Sequence, residues 1–156
     1  TFMPELQERN MKIQLIGFID ELPESTKQVV LKAVEDTKNN TGMVLTFALN
    51  YGSRAEIIEA TKALANEVKS GEISVEDIND EFFASKLQTS FLGDLQDPDL
   101  MIRTSGEVRL SNFLLWQLAY CEYYFTDIFW PDFSEEDLHK AILTYQGRHR
   151  RYGGLA

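Results

Sequence analysis

The chain has 156 residues, which is enough for one domain with a sizeable hydrophobic core. Apolar residues make up 44% and charged residues 26%, as is typical of a globular protein. The formal net charge of −10 argues against nucleic acid as a partner, because bulk charge would repel a polyanion. The one cysteine, Cys121, excludes an internal disulfide and a cysteine-cluster metal site, and it is compatible with a reducing, cytoplasmic compartment.

The sequence contains no apolar run of the ~18 residues that a membrane-spanning helix requires, and its first residues lack the pattern of a signal peptide. The first residue is Thr1 instead of an initiator methionine. We therefore expect these residues to be part of a longer protein.

Apolar runs alternate with helix signals along the chain. Strands are predicted at 12–19, 43–49 and 100–104, with a short fourth strand at 127–130. Helices are predicted at 23–40, from 53 to about 70, as one or two short helices within 74–90, from 111 or 112 onwards, and from 134 to the arginines near 148. This alternation predicts an α/β fold, with a mainly parallel sheet and helices on both faces.

Helix starts are marked by hydroxyl residues followed by acids. Ser53 is predicted to cap its helix, with Glu56 three residues later as in a capping box. Ser74 and Asp77 have the same spacing. Arg54 and Glu56 are then expected to lie in a solvated first turn.

Ligands of parallel α/β sheets bind at the carboxyl ends of the strands. In this chain, the segments at those ends are 50–52 and 103–106. The second segment carries Arg103 at the end of a buried strand and a Ser105-Gly106 turn. A binding site at this edge is therefore predicted.

Arg103, Arg109 and Ser111 have the chemistry of an anion site. Two guanidinium forks, a hydroxyl and the free N–H groups of a helix start would hold a diphosphate. In the alternative interpretation, Ser111 is an ordinary helix cap and the arginines form ion pairs with acids such as Glu107 or Asp99.

Glu122 is the one formal charge inside the apolar segment 113–125. A buried carboxylate needs a cation or strong donors, or it must take up a proton. Two interpretations follow: a ligand of Mg²⁺ completed by substrate phosphates and water, or an ion pair with Arg103 or Arg109.

The segment 148–154 carries three arginines within four residues, followed by two glycines. Cations and glycine suit the end of a helix. Three arginines are more than the end of a helix requires, so we also predict, as a lesser role, contact with a phosphate group.

Three segments resemble the cis-prenyltransferase family. They are 49–57, with the sequence Leu-Asn-Tyr-Gly-Ser-Arg-Ala-Glu-Ile, then 97–133 and 148–154. They are ordered and spaced as in the family, and the match spans essentially the whole chain. The resemblance is strongest to the bacterial members that make undecaprenyl diphosphate.

The resemblance implies condensation of isopentenyl diphosphate onto farnesyl diphosphate with cis double bonds, using Mg²⁺. The product would be a long polyprenyl (undecaprenyl) diphosphate, the lipid-carrier precursor for cell-wall synthesis. It also implies a cytoplasmic homodimer, with peripheral contact at the inner face of the membrane through the lipid product.

The resemblance assigns six residues to substrate binding: Arg103, Arg109, Leu110, Ser111, Arg151 and Gly153. The first four would grip isopentenyl diphosphate. The last two would belong to the Arg-x-Gly tail element of the family, which helps hold diphosphate across the dimer. Glu122 would be the magnesium ligand.

The first strand-loop-helix unit of the family, with its Asp-Gly-Asn-Gly-Arg phosphate loop and catalytic aspartate, has no match in this sequence. The chain therefore resembles the C-terminal portion of a single prenyltransferase domain, which we expect to be inactive alone. A noncatalytic partner subunit of the same fold is the alternative, and the retained arginines and Glu122 argue against it. A nucleotide-binding α/β module is a second alternative. The sequence argues against it, because it contains neither Gly-x-Gly-x-x-Gly nor the Gly-Lys-[Ser/Thr] phosphate-loop motif.

Overall fold

The computed structural model describes residues 2–148. The chain divides into two compact units, Thr1–Ser90 and Phe91–Ala156. Each unit contains one pair of parallel strands. The predicted α/β fold with parallel strands is confirmed.

The first unit alternates helices and strands in this order: α1 (Met3–Glu8), β1 (Lys12–Ile16), α2 (Glu24–Thr37), β2 (Val44–Ala48), α3 (Ser53–Ser70) and α4 (Asp80–Ala84). Short 3-10 turns lie at Ile19–Glu21 and Val75–Asp77, and a third, Ser90–Leu95, begins at the last residue of this unit. The register of the parallel pair runs from Lys12 opposite Val44 to Ile16 opposite Ala48. The crossover through α2 is the long connection that parallel strands require.

Helix α2 is anchored on β1 by its last residue. The buried Thr37 Oγ1 accepts a hydrogen bond from the Ile13 N–H at 3.0 Å and donates one to the Ala33 carbonyl at 2.8 Å. Ile13 and Ile16 are each 4% exposed. The hydroxyl therefore satisfies the backbone where apolar packing holds the helix and the strand together.

Gly17, the residue after β1, has a backbone conformation that requires glycine. Its φ is +117°, and an added Cβ would lie 1.9 Å from the Leu49 carbonyl oxygen. The Leu49 N–H in turn donates to the Ile16 carbonyl at 2.9 Å. The loops that follow β1 and β2 therefore approach each other too closely for any side chain at this position.

Gly17→Ala is expected to lower the free energy of unfolding by about 2–3 kcal/mol, because it adds both a clash and a strained φ. Urea unfolding measures this change. Gly71→Ala is the matched control, since Gly71 also has a positive φ but no heavy atom within 4 Å of its added Cβ. Equal losses in the two variants would contradict the close approach at Gly17.

The capping predictions have different outcomes. Ser74 and Asp77 form the predicted capping box. At α3 the prediction is wrong, because Gly52 is the N-cap and the buried Ser53 is already helical. Glu56 accepts hydrogen bonds from Tyr51 Oη and from the Gln88 N–H.

The second unit contains β3 (Leu100–Arg103), β4 (Glu122–Phe125), a 3-10 turn (Trp130–Asp132) and α5 (Glu135–Gln146). The parallel register runs from Leu100 opposite Glu122 to Arg103 opposite Phe125. The predicted final helix is confirmed, opened by a capping box between Ser134 and Asp137.

Two predictions for this unit are wrong. Residues 111–120 form turns instead of a helix, and the fourth strand is Glu122–Phe125 instead of 127–130. Left-handed φ values of 51° at Ser111, 64° at Asn112 and 44° at Leu114 interrupt any right-handed helix at its start. The aromatic residues after Glu122 favour a strand, and pairing with β3 satisfies their backbone groups.

Within the described range 2–148, no helix combines the length and the apolar character needed to cross a membrane.

Candidate functional site

The carboxyl ends of β3 and β4 form one edge of the second unit. The Thr126 N–H donates to the Arg103 carbonyl at 3.0 Å, and the Gly106 N–H donates to the Thr126 carbonyl at 2.9 Å. The Ser105 N–H donates to the Ile128 carbonyl at 2.8 Å. These bonds fix the loop that follows Arg103 at the edge where ligands of parallel sheets bind.

Arg103 lies at the centre of this edge. Its Nη1 donates to the Arg109 carbonyl oxygen and to Ser111 Oγ, the latter at 3.2 Å. The Arg103 side chain therefore contacts Ser111 and the backbone of Arg109, and both arginines line the same pocket. Both contacts use one nitrogen of a fork that carries five N–H donors, which leaves donors for an anion.

Ser111 contributes a hydroxyl but not a helix start. Its φ of 51° belongs to a turn, so the predicted array of helix N–H groups is absent from residues 111–120. The groups at this edge that could hold an anion are therefore side chains and turn amides.

Arg109 forms an ion pair with Glu107. Its side chain is 63% exposed and that of Glu107 is 39% exposed. For Arg109, the alternative interpretation, an ion pair with a nearby acid, therefore describes the structure. An exposed pair contributes ~0–1 kcal/mol, so a doubly charged ligand would replace Glu107 at little cost.

A pocket of about 230 Å³ opens beside the two arginines. Its lining consists of Met101, Ile102, Arg103, Arg109, Leu110 and Phe113. Two guanidinium groups at an otherwise apolar wall suit a ligand with an anionic head and a short apolar tail.

Glu122 is the first residue of β4, not part of a helix. Its N–H donates to the Asp99 carbonyl at 3.0 Å. Its Oε2 accepts from Arg148 Nη1 at 2.7 Å. Glu122 therefore forms an ion pair, as one of the two interpretations predicted, but its partner is Arg148 and not Arg103 or Arg109.

The neighbouring Tyr123 is fixed beside this pair. Its backbone carbonyl accepts a second hydrogen bond from Arg148 Nη1 at 2.9 Å. Burial, with a smaller effect of the nearby Cys121, raises the pKa of the Tyr123 phenol above its ordinary value. The phenol therefore stays protonated near neutral pH and donates to the Leu118 carbonyl at 2.8 Å.

The described residues do not fit a preformed metal site. Between residues 2 and 148, no group of three or more His, Cys, Asp or Glu side chains could hold a metal ion. Magnesium requires octahedral oxygen ligands. Glu122 would supply one of them, and the others would have to come from a bound ligand and water. Arg151 and Gly153 lie outside the described residues.

Glu56 is a buried residue of the first unit whose position the sequence interpretation got wrong. It is 1% exposed, so the expected solvated first turn is wrong at this position. Tyr51 Oη donates to Glu56 Oε2 at 2.6 Å, and the Gln88 N–H donates to Oε1 at 2.8 Å. Gln88 Oε1 in turn accepts from the Gly17 N–H at 2.5 Å. The buried carboxylate thus connects segments around the carboxyl ends of β1 and β2.

A periodic signal could have identified Glu56. Ala60 and Leu64 follow at intervals of four residues and are also buried, which places Glu56 on the inward face of α3. Its charge misled the sequence interpretation, because a carboxylate in a first helical turn usually faces water.

Comparisons with known proteins agree with this description. The family model of undecaprenyl diphosphate synthases matches residues 1–153. The ditrans,polycis-undecaprenyl-diphosphate synthase of Micrococcus luteus is 57% identical over 155 residues, covering 99% of this chain and 61% of that protein. An isoprenyl transferase of Halalkalibacterium halodurans is 54% identical over 153 residues, covering 98% of this chain and 59% of that protein.

A solved structure shares the fold. Lavandulyl diphosphate synthase from Lavandula x intermedia, in complex with dimethylallyl diphosphate, superposes with a TM-score of 0.93 at 36% identity. The match covers 98% of this chain and 67% of that one. The chain spans about three fifths of the length of the two bacterial relatives, 61% and 59%.

Proposed function

Because this chain belongs to the undecaprenyl diphosphate synthase family of prenyltransferases, we propose that the protein condenses isopentenyl diphosphate onto farnesyl diphosphate with cis double bonds, yielding undecaprenyl diphosphate. The M. luteus relative is described as specific for (2E,6E)-farnesyl diphosphate. The main support for this proposal is the largely apolar pocket that Arg103 and Arg109 line, with Ser111 in contact with Arg103. Such a pocket suits a five-carbon chain with a diphosphate head.

Arg103, Arg109 and Ser111 grip the isopentenyl diphosphate head in this proposal. Arg103 already has Ser111 Oγ within 3.2 Å, so both groups reach the same anion. Arg109 exchanges Glu107 for a phosphate oxygen, and Leu110 covers the isopentenyl chain. Fixing the head in this way orients the nucleophilic double bond towards the allylic substrate, which lowers the entropic part of the barrier.

We propose Mg²⁺ as the cofactor, and Glu122 would be the one residue of the described chain to hold it. The ion would neutralise charge on the diphosphate. Arg151 and Gly153 would contact diphosphate across a homodimer. These assignments follow the pattern of the family and depend on residues of the complete protein.

Residues 1–156 contain no Asp-Gly-Asn-Gly-Arg sequence, the phosphate loop of the family. We therefore propose that these residues are the C-terminal portion of one prenyltransferase domain and do not elongate a chain alone. The complete protein would act in the cytoplasm and touch the inner face of the membrane through its lipid product.

The test uses the complete protein with farnesyl diphosphate and radiolabelled isopentenyl diphosphate. We expect label to enter a long prenyl diphosphate, to stop on chelation by EDTA, and to resume with added Mg²⁺. Residues 1–156 alone should incorporate none. A folded complete protein that incorporates no label alone, but stimulates a second prenyltransferase subunit, would instead establish the noncatalytic partner function.

A further inference from the structure

We propose that β2 is an interior strand of the complete protein, and that a parallel strand formed by residues outside 1–156 pairs with its outer edge. The inference rests on the proposal that these residues are a portion of one prenyltransferase domain. It goes further by naming the backbone groups that the added strand would bind, which are the N–H groups of Val44, Thr46 and Ala48.

The hydrogen bonds between β1 and β2 determine which backbone groups of β2 point away from β1. The Leu49 N–H donates to the Ile16 carbonyl at 2.9 Å, so it faces β1. Successive residues of a strand direct their N–H groups to opposite sides, so the N–H groups two and four positions earlier also face β1. Those of Val44, Thr46 and Ala48 therefore lie on the outer edge of the sheet.

The two edges of this sheet differ in how their N–H groups are satisfied. On the outer edge of β1, the Ile13 N–H donates to Thr37 Oγ1 at 3.0 Å, and the Gly17 N–H donates to Gln88 Oε1 at 2.5 Å. On the outer edge of β2, the three N–H groups have no hydrogen-bond partner within the described part of the first unit, residues 2–90. A row of unpaired donors is a template for pairing with another strand.

The sequence of β2 is that of an interior strand. Val-Leu-Thr-Phe-Ala contains neither a charge nor a proline, which are features that protect natural edge strands from pairing. Nearly continuous apolar residues are typical of parallel strands that are enclosed within a sheet. In the first unit, however, Val44 is 39% exposed and Phe47 is 43% exposed. The strand therefore has the composition of an enclosed strand at the position of an edge strand, which indicates that a further segment covers it.

We assign this role to a segment of the same protein. The chain matches 61% and 59% of the lengths of the two bacterial relatives, so each of them contains further residues that could supply a strand. A strand of the same chain is held at a high effective concentration and pairs without the entropic cost of joining two molecules. It would run parallel to β2, as β1 does, and its carbonyl groups would accept from the three outer N–H groups.

Hydrogen–deuterium exchange of the complete protein, resolved to single residues by fragmentation in a mass spectrometer, tests this pairing. We expect the amides of Val44, Thr46 and Ala48 to exchange at least about 100-fold more slowly than in an unstructured peptide. Leu45 and Phe47 are the internal control, because β1 protects their amides whether or not a further strand is present. Rapid exchange at the three outer positions, with slow exchange at the two controls, would overturn the proposal.

A proline variant tests the same edge through stability. Thr46→Pro removes the N–H that faces the added strand, and proline costs far more inside a sheet than at its edge. We expect the urea midpoint of the complete protein to fall by about 1 M or more below that of Thr46→Ala, which keeps the N–H. Equal midpoints would place Thr46 at an open edge. The exchange measurement uses the unaltered protein, so it decides the proposal even where Thr46→Pro does not fold.

A second copy of the chain could also protect these amides, and mixed labelling identifies it. Complete protein labelled with ¹⁵N and ²H is mixed with unlabelled protein, so that nuclear Overhauser contacts from labelled amides to α-protons arise only between copies. We expect no such contacts from Val44–Ala48. Their presence would refute the assignment of a strand from the same chain.

The outcomes separate this proposal from the function on which it rests. Incorporation of isopentenyl diphosphate together with rapid exchange at Val44, Thr46 and Ala48 refutes the strand pairing and leaves the prenyltransferase function. Slow exchange at these residues in a complete protein that incorporates no label supports the pairing and refutes the function.

Discussion

Arg103→Ala in the complete protein is expected to lower kcat/KM for isopentenyl diphosphate about 30- to 1000-fold, a loss of about 2–4 kcal/mol. The side chain ends β3 at the pocket, and its Nη1 holds Ser111 Oγ and the Arg109 carbonyl in place. The substitution removes a guanidinium fork and releases the two neighbours that it positions. Initial rates at varied isopentenyl diphosphate measure the change.

Two further variants isolate the cause. Arg103→Lys keeps the charge but not the fork, and it should recover only part of the loss, because bidentate contact requires the planar group. Arg9→Ala removes an arginine whose exposed side chain pairs with Glu5 on α1, and its rate should change less than about 2-fold. A nearly unchanged kcat/KM in Arg103→Ala would refute the proposed role of Arg103 in binding isopentenyl diphosphate.

Glu56→Ala is expected to lower the free energy of unfolding by about 4 kcal/mol. The substitution leaves the Tyr51 hydroxyl and the Gln88 N–H without their carboxylate, which they now contact at 2.6 and 2.8 Å. It also opens a cavity on the inward face of α3. The midpoint of urea unfolding, followed by circular dichroism, measures the loss.

The control for Glu56 lies one turn further along the same helix. Glu59 is 55% exposed and pairs with Lys62, so Glu59→Ala should cost less than about 1 kcal/mol. Glu56→Gln keeps the size and one acceptor, and it should lie between the two. A loss in Glu56→Ala no larger than in Glu59→Ala would mean that the buried network does not stabilise the fold.

Local patterns located the two strands and one capping box of the first unit. The apolar runs at 12–19 and 43–49 contain β1 and β2, and glycine or proline signals marked their ends within a few residues. Ser74 and Asp77 form their predicted box because a cap depends on residues three positions apart. Such short-range rules do not require knowledge of the tertiary fold.

The segment 111–125 was misread for a physical reason. Its continuous apolar residues carry no period that separates a buried helix from turns followed by a strand. Leu114 has a left-handed φ of 44°, which leucine rarely adopts and no local signal predicts. Pairing of Glu122–Phe125 with β3 is a contact between distant segments, and it determines where the strand lies.

The charged residues show the same limit. The sequence identified Arg103, Arg109 and Ser111 as a group because they are close along the chain. The partner of Glu122 is 26 positions away, and the partners of Glu56 include Gln88 at 32 positions. Tertiary packing selects these pairs, so spacing alone indicated that Glu122 needed a cation but not which one.

A crystal structure of the complete protein with isopentenyl diphosphate is the most direct test of the site. We expect diphosphate oxygens within hydrogen-bonding distance of the Arg103 guanidinium and Ser111 Oγ, the isopentenyl chain against Leu110, and Arg109 turned from Glu107 to the ligand. A diphosphate bound elsewhere, with Arg109 still paired to Glu107 and the pocket beside Arg103 empty, would contradict the assignment of this edge as the isopentenyl diphosphate site.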